Sequence, residues 1–187
     1  MQRYALLVID MQNDFVLPDG PLPVPQARAV IPEIRRVLDA FRDRGLPVFH
    51  IVRVHRPDGS DVEITRADLF KKTPFAVAGT RGAAIVDELR PSPGEYIIEK
   101  IRMSAFIATG LDLMLRTSGI TDLVVTGIQT PNCIRTTVFD AIAYNYPVIL
   151  LKDAVSAKND AIHNANVTDM ANIGVRVMAA RDFVSLL

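Results

Sequence analysis

TDLVVTGIQTPNCIRTTVFDAIAYN, residues 121–145, contains the only cysteine of the chain and decides how the rest is read. Leu123, Val124 and Val125 form a short aliphatic and β-branched run ending at Gly127, the pattern of a strand buried on both faces. From Cys133 onward, Ile134, Val138, Ala141 and Ile142 recur at three- and four-residue spacing, the pattern of a helix. Pro131 and Asn132 just before it supply a start signal, because Asn can cap a helix and Pro cannot continue a preceding one. Cys133 is therefore expected where the C-terminal end of a strand turns into a helix N-terminus. Unpaired N–H groups and the macrodipole at such a site favour a thiolate, the nucleophilic form of cysteine. The alternative is a small buried hydrophobe.

Working outward, residues 4–9 form an apolar run that ends at Asp10. Residues 15–25 carry Pro18, Gly20, Pro21, Pro23 and Pro25 and read as loop. Ile31, Ile34, Val37, Leu38 and Phe41 mark an amphipathic helix over residues 30–44, closed by Gly45. Residues 47–52 are a second strand. Residues 55–78 lack periodicity and read as a long loop with a short helical piece at 68–71, a length usually tied to function. A helix is expected over 79–89, a third strand over 95–99 with Lys100 at its end, and a helix over 109–118. After the 121–145 unit come a fifth strand (147–151), a helix (161–174), a sixth strand (175–178) and a helical tail (181–187).

Strands alternating with helices imply right-handed crossovers and an α/β fold, a doubly wound six-stranded parallel sheet with helices on both faces. The whole chain, residues 1–187, reads as a single domain. Such sheets place their sites beyond the C-terminal strand ends. Asp10, Lys100 and Cys133 all fall at those ends and are expected to converge. A carboxylate able to take the thiol proton and an ammonium holding both anions would form an activated-nucleophile set. The bland alternatives are a helix-capping Asp10 and a solvated Lys100.

Lys plus Arg is 21 and Asp plus Glu is 21. That balance gives no pull toward nucleic acid or an anionic membrane surface. A hydrophobic fraction of 49% excludes a disordered chain. No apolar run approaches the ~20 residues of a membrane span. A lone cysteine suggests a reducing, cytoplasmic setting, and the first residues read as a strand rather than a signal peptide.

DMQNDF (residues 10–15), EKIRMSAF (99–106) and TGIQTPNCIRTT (126–137), with GTRGA (79–83) and the Asp153–Ala154 pair, resemble the isochorismatase-like cysteine hydrolases. The resemblance implies Asp10, Lys100 and Cys133 as the catalytic residues. It also implies a cis peptide between Ile128 and Gln129, and an oxyanion hole built from the backbone N–H groups of Gln129 and Cys133. Nicotinamidases of that family bind a metal through an Asp-x-His pair and a later His. Here the aligned positions hold Val54, Arg56 and Phe75, so no metal and no other cofactor is expected. A cysteine is dispensable for vinyl-ether hydrolysis, so Cys133 favours a metal-independent amidohydrolase cleaving a small carboxamide or ureido C–N bond. An isochorismatase-type ether hydrolase and a non-catalytic binding homologue are the alternatives. By the same resemblance the partner is a small-molecule substrate and the assembly a homodimer or homotetramer.

Phe15 and Phe106 are candidate pocket walls, with core packing as the alternative. Gln129 is a candidate substrate contact through its side chain as well. Arg53, Arg56 and Arg102 are candidates for binding a substrate carboxylate, ordinary surface charge being the alternative. His55 is placed either within reach of substrate or in the loop alone. His50 reads as a core residue, His163 as surface, and Asp14 as a cap for the loop that follows.

Overall fold

The computed structural model describes residues 2–187. Six parallel strands form one sheet: β1 Tyr4–Ile9, β2 Val48–Arg53, β3 Tyr96–Lys100, β4 Asp122–Ile128, β5 Val148–Ser156 and β6 Arg176–Met178. Their order is β3-β2-β1-β4-β5-β6. The chain winds one way to the edge at β3, then returns to the centre and winds the other way. The direction reverses between β1 and β4, where an open α/β sheet leaves a crevice at its carboxyl ends.

The helices are α1 Asn13–Val16, α2 Ile31–Asp43, α3 Ala67–Lys72, α4 Leu111–Thr117, α5 Arg135–Ala143, α6 Asp160–Asn172 and α7 Ala180–Val184. Alternate residues of each central strand point to opposite faces. Leu6, Val8, Val124 and Leu151 therefore pack with Ile34, Val37 and Phe41 of α2 and Phe183 of α7. Ala5, Leu7, Val125 and Leu150 pack on the other face with Leu115 of α4, Val138 of α5 and Met170 of α6. No helix among the described residues is long and apolar enough to cross a membrane.

Three local expectations are corrected. Residues 79–89 do not form a helix. Their backbone groups are claimed by the segment after β1, with Asn13 N–H donating to Ala84 O, Asp14 N–H to Gly82 O and Val86 N–H to Met11 O. Gln12 and Ile85 form an antiparallel bridge, and only Asp87–Leu89 closes a 3-10 turn. The fifth strand runs on past residue 151 to Ser156. A register shift between Val125 and Gly127 lets Val155 and Ser156 pair with the end of β4. Finally, α1 interrupts the start of the proline-rich loop.

Candidate functional site

Gly127 explains how β1 and β4 approach so closely at the crevice. Its φ is +106°, and a Cβ there would collide with the backbone of Ile9. Only glycine fits both constraints. Beyond it the Ile128–Gln129 peptide is cis, and the chain enters a wide π-type turn over Thr130–Ile134 before α5 begins at Arg135. Cys133 thus sits in the turn that leads into the helix. Asn132 does not cap it; the flanking position belongs to Gln129, and no side chain caps the turn. The Gln129 N–H finds no protein acceptor among the described residues. Thr130 Oγ1 lies 3.1 Å from His163 Nδ1, so His163 is half-buried against this turn rather than free on the surface.

Asp10 ends β1 in the left-handed region, φ +54°, with its N–H donating to Ile51 O. Lys100 ends β3, directly beside Arg53 at the end of β2. The structure brings all three strand-end residues together. Lys100 Nζ donates to Asp10 Oδ2 at 3.0 Å, to Cys133 Sγ at 3.3 Å and to Arg102 O at 3.1 Å. Lys100 is 1% exposed, which excludes the solvated-charge alternative. Asp10 Oδ1 is buried and has no hydrogen-bond partner. A buried carboxylate oxygen left open in this way normally answers to a ligand or a reaction.

Burial pushes the Cys133 thiol above its ordinary range, and Asp10 adds to the rise; Lys100 and Arg53 oppose it without reversing it. The helix-start reasoning predicted the opposite direction. Desolvation of a wholly enclosed sulfur outweighs two cations and the turn's N–H groups.

Arg53 is the residue whose importance the sequence least reveals. It is 1% exposed, with Nη1 donating to Glu63 at 2.8 and 3.0 Å and Nη2 standing 3.7 Å from Cys133 Sγ. Burial works against its charge, but Cys133, Asp10 and Glu63 outweigh that and raise its pKa. Glu63 is correspondingly lowered: burial resists its ionisation, and the Arg53 contacts overcome it. Gln12 locks the strand end in place, its side chain accepting from Arg53 N–H and donating to Arg53 O. An alternating polar pattern near a strand end gives no hint of such a pair, since Glu63 reaches it from an irregular loop.

A small cleft of about 290 Å³ opens over Cys133. Asp10, Phe15, Arg53, Ile128, Gln129 and Cys133 line it together with Val24, Arg66 and Asn132. Sequence reasoning missed the last three, which come from segments without periodicity. His55 and Phe106 do not line it. His55 is fully buried, 3.2 Å from Asp61 Oδ1 and edge-on to Phe70 and Phe75. Phe106 stacks on Tyr144 and Tyr146 in the opposite core. Arg56 is exposed and pairs with Asp58, while Arg102 donates to Asp61 O. Neither reaches the cleft. Asp14 accepts from Ala76 N–H and pins the long loop, as its reading as a loop cap requires. His50 is buried in the sheet, 2.8 Å from Glu95.

Val54, Arg56 and Phe75, the positions aligned with metal ligands, are likewise absent from the cleft lining. Among the described residues no group of three or more His, Cys, Asp or Glu is arranged to hold a metal ion. The only side chains meeting Cys133 are a carboxylate and two fixed cations.

Comparison with known proteins places this arrangement. The isochorismatase domain profile matches residues 4–182. An Arabidopsis thaliana protein named "probable inactive nicotinamidase" is 46% identical over 176 residues, covering 92% of this chain and 90% of its own length. The crystal structure of an isochorismatase family protein from Desulfovibrio vulgaris superposes with a TM-score of 0.96 at 42% identity, covering 100% of this chain and 98% of that one. The N-carbamoylsarcosine amidase of Thermoplasma acidophilum superposes with a TM-score of 0.83 at 34% identity, covering 96% and 97% of the two chains. A profile that spans nearly the whole chain, and relatives similar over their full length, establish that the protein belongs to the isochorismatase family.

Proposed function

We propose that the protein is a metal-independent cysteine amidohydrolase that cleaves the C–N bond of a small carboxamide or ureido compound through a thioester. The observation that carries this reading is the unpartnered Asp10 Oδ1, which lines the cleft beside Cys133 while Oδ2 is held by Lys100. That oxygen takes the thiol proton as the sulfur attacks the carbonyl carbon. Charge builds on the carbonyl oxygen, where the N–H groups of Gln129 and Cys133 stabilise it. Asp10 returns the proton to the departing nitrogen, which leaves as ammonia or an amine. Water, deprotonated by Asp10, then attacks the thioester, and the carboxylate product leaves as the thiol re-forms. Lys100 and Arg53 offset the charge on sulfur throughout. The cleft's size limits the substrate to a small molecule. The absence of metal follows from the residues at Val54, Arg56 and Phe75.

The test is ammonia release across a panel of carboxamides, ureides and nicotinamide. Cys133→Ala and Cys133→Ser should abolish hydrolysis while unfolding at wild-type temperature within a few degrees. An alanine variant with near-normal turnover would end the nucleophile role. The raised thiol of Cys133 favours one other reading, a non-catalytic binding homologue. Titration with a thiol-reactive amide analogue separates the two, because only the enzyme should be labelled stoichiometrically and fast.

A further inference from the structure

Two guanidinium groups line the cleft, and they are not equivalent. Arg53 has its fork occupied from within, Nη1 by the Glu63 carboxylate and Nη2 by Cys133. Arg66, at the end of the 3-10 turn Ile64–Arg66, makes no ion pair and no side-chain hydrogen bond among the described residues. Its guanidinium carbon stands 5.9 Å from the centre of the Phe75 ring, an aromatic support that orients it without using its donors. The amides of Gln129 and Asn132, also in the lining, are equally free of internal partners. Phe15 and Val24 supply an apolar wall.

The charges around the cleft sort into pairs. Asp10 is matched by Lys100, and Arg53 by Glu63, each through an ion pair. Arg66 is the one charge left uncompensated in the lining while Cys133 is a thiol. A half-buried cation with a full set of open N–H donors fits a planar two-oxygen anion better than any neutral group.

From this we infer that the substrate carries a carboxylate at the end remote from the scissile bond, and that Arg66 is the residue that receives it. The inference rests on the amidohydrolase reading and narrows it to acidic amides and ureides, such as a dicarboxylic acid monoamide or an N-carbamoyl amino acid. It also reassigns the carboxylate-binding role from Arg53, Arg56 and Arg102.

The experiment compares succinamate with 4-oxopentanamide, a neutral amide of nearly the same shape, and adds N-carbamoylglycine. Wild type should prefer succinamate in kcat/KM by at least about tenfold, the order expected of a hydrogen bond to a charged group. Arg66→Gln should collapse that ratio toward unity, mainly through KM, and Arg66→Lys should restore part of it. A ratio near one in wild type, or one that survives Arg66→Gln, overturns the inference and leaves the amidohydrolase reading standing. If no amide is hydrolysed, binding decides. In the Cys133→Ala protein, calorimetric titration with succinamate and N-carbamoylglycine should show affinity lost by roughly tenfold or more on adding Arg66→Gln. Binding there without hydrolysis sinks the enzymatic reading alone; no binding of either acid sinks the inference.

Discussion

Replacing Lys100 by Met removes the cation that touches both Asp10 and Cys133 while keeping most of the side chain's volume. The ammonium stands 3.3 Å from the sulfur. At an effective dielectric of about 20, a charge pair at that separation is coupled by about 5 kcal/mol. Arg53 remains on the sulfur's other side and relaxation recovers some of the loss, so on the order of 2–4 kcal/mol should be withdrawn from the thiolate. The thiol of Cys133, already raised by burial and by Asp10, should rise further. Iodoacetamide alkylates only the thiolate, and Cys133 is the sole site. Measured by intact mass between pH 6 and 10, alkylation of Lys100→Met at a given pH should be slower by roughly 30- to 1,000-fold, at 1.4 kcal/mol per decade. Asp10 is then left buried without its partner, and breaking a buried pair costs about 3–5 kcal/mol of stability. The double variant Asp10→Asn with Lys100→Met should recover most of that stability but not the reactivity. Superimposable profiles for wild type and Lys100→Met would refute the coupling and remove Lys100 from the proposed catalytic set.

Three further outcomes follow from the same geometry. Gly127→Ala should lower unfolding free energy by about 2–4 kcal/mol, because a side chain there meets the backbone of Ile9 in a left-handed conformation; urea denaturation reads this, and a loss under 1 kcal/mol would contradict it. Burial resists ionisation of Glu95, yet Arg42, the Ser92 N–H and His50 hold its carboxyl down to about 2. A depressed carboxyl stabilises the fold above its unfolded value near ~4.3 and loses that contribution as pH falls toward 2. Wild type and Glu95→Gln should therefore differ in stability at neutral pH and converge across that acid window, and parallel curves would show that Glu95 is not responsible. Prolonged chelation should leave amide hydrolysis unchanged; loss of activity restored by zinc would mean a metal site lies where the loop residues were read as unsuitable.

Much of the architecture was legible because parallel strands buried on both faces must be continuous apolar runs, and the helices covering them must be periodic. Residues 4–9, 121–128 and 31–43 obey those rules plainly. The strand-end positions of Asp10, Lys100 and Cys133 followed from the same alternation, since a doubly wound sheet gathers its carboxyl ends. Residues 79–89 misled because Ala84, Ile85 and Leu89 have helical spacing. Local propensity is weak, however, and the backbone groups of Met11 and residues 12–14 offered better partners.

What the sequence determined alone was the order of strands and helices and the identity of the three strand-end residues that could carry chemistry. Tertiary structure decided the electrostatics. It showed Lys100 enclosed rather than solvated, and the Cys133 thiol raised by burial rather than lowered by a helix start. It turned His55 and Phe106 away from the cleft, and it matched Arg53 to Glu63 while leaving Arg66 open. The physical reason is that hydrophobic periodicity is a local property, written along one strand or helix. A charge's solvation and its partner depend on distances between segments far apart in the chain, which exist only once the sheet has brought them together.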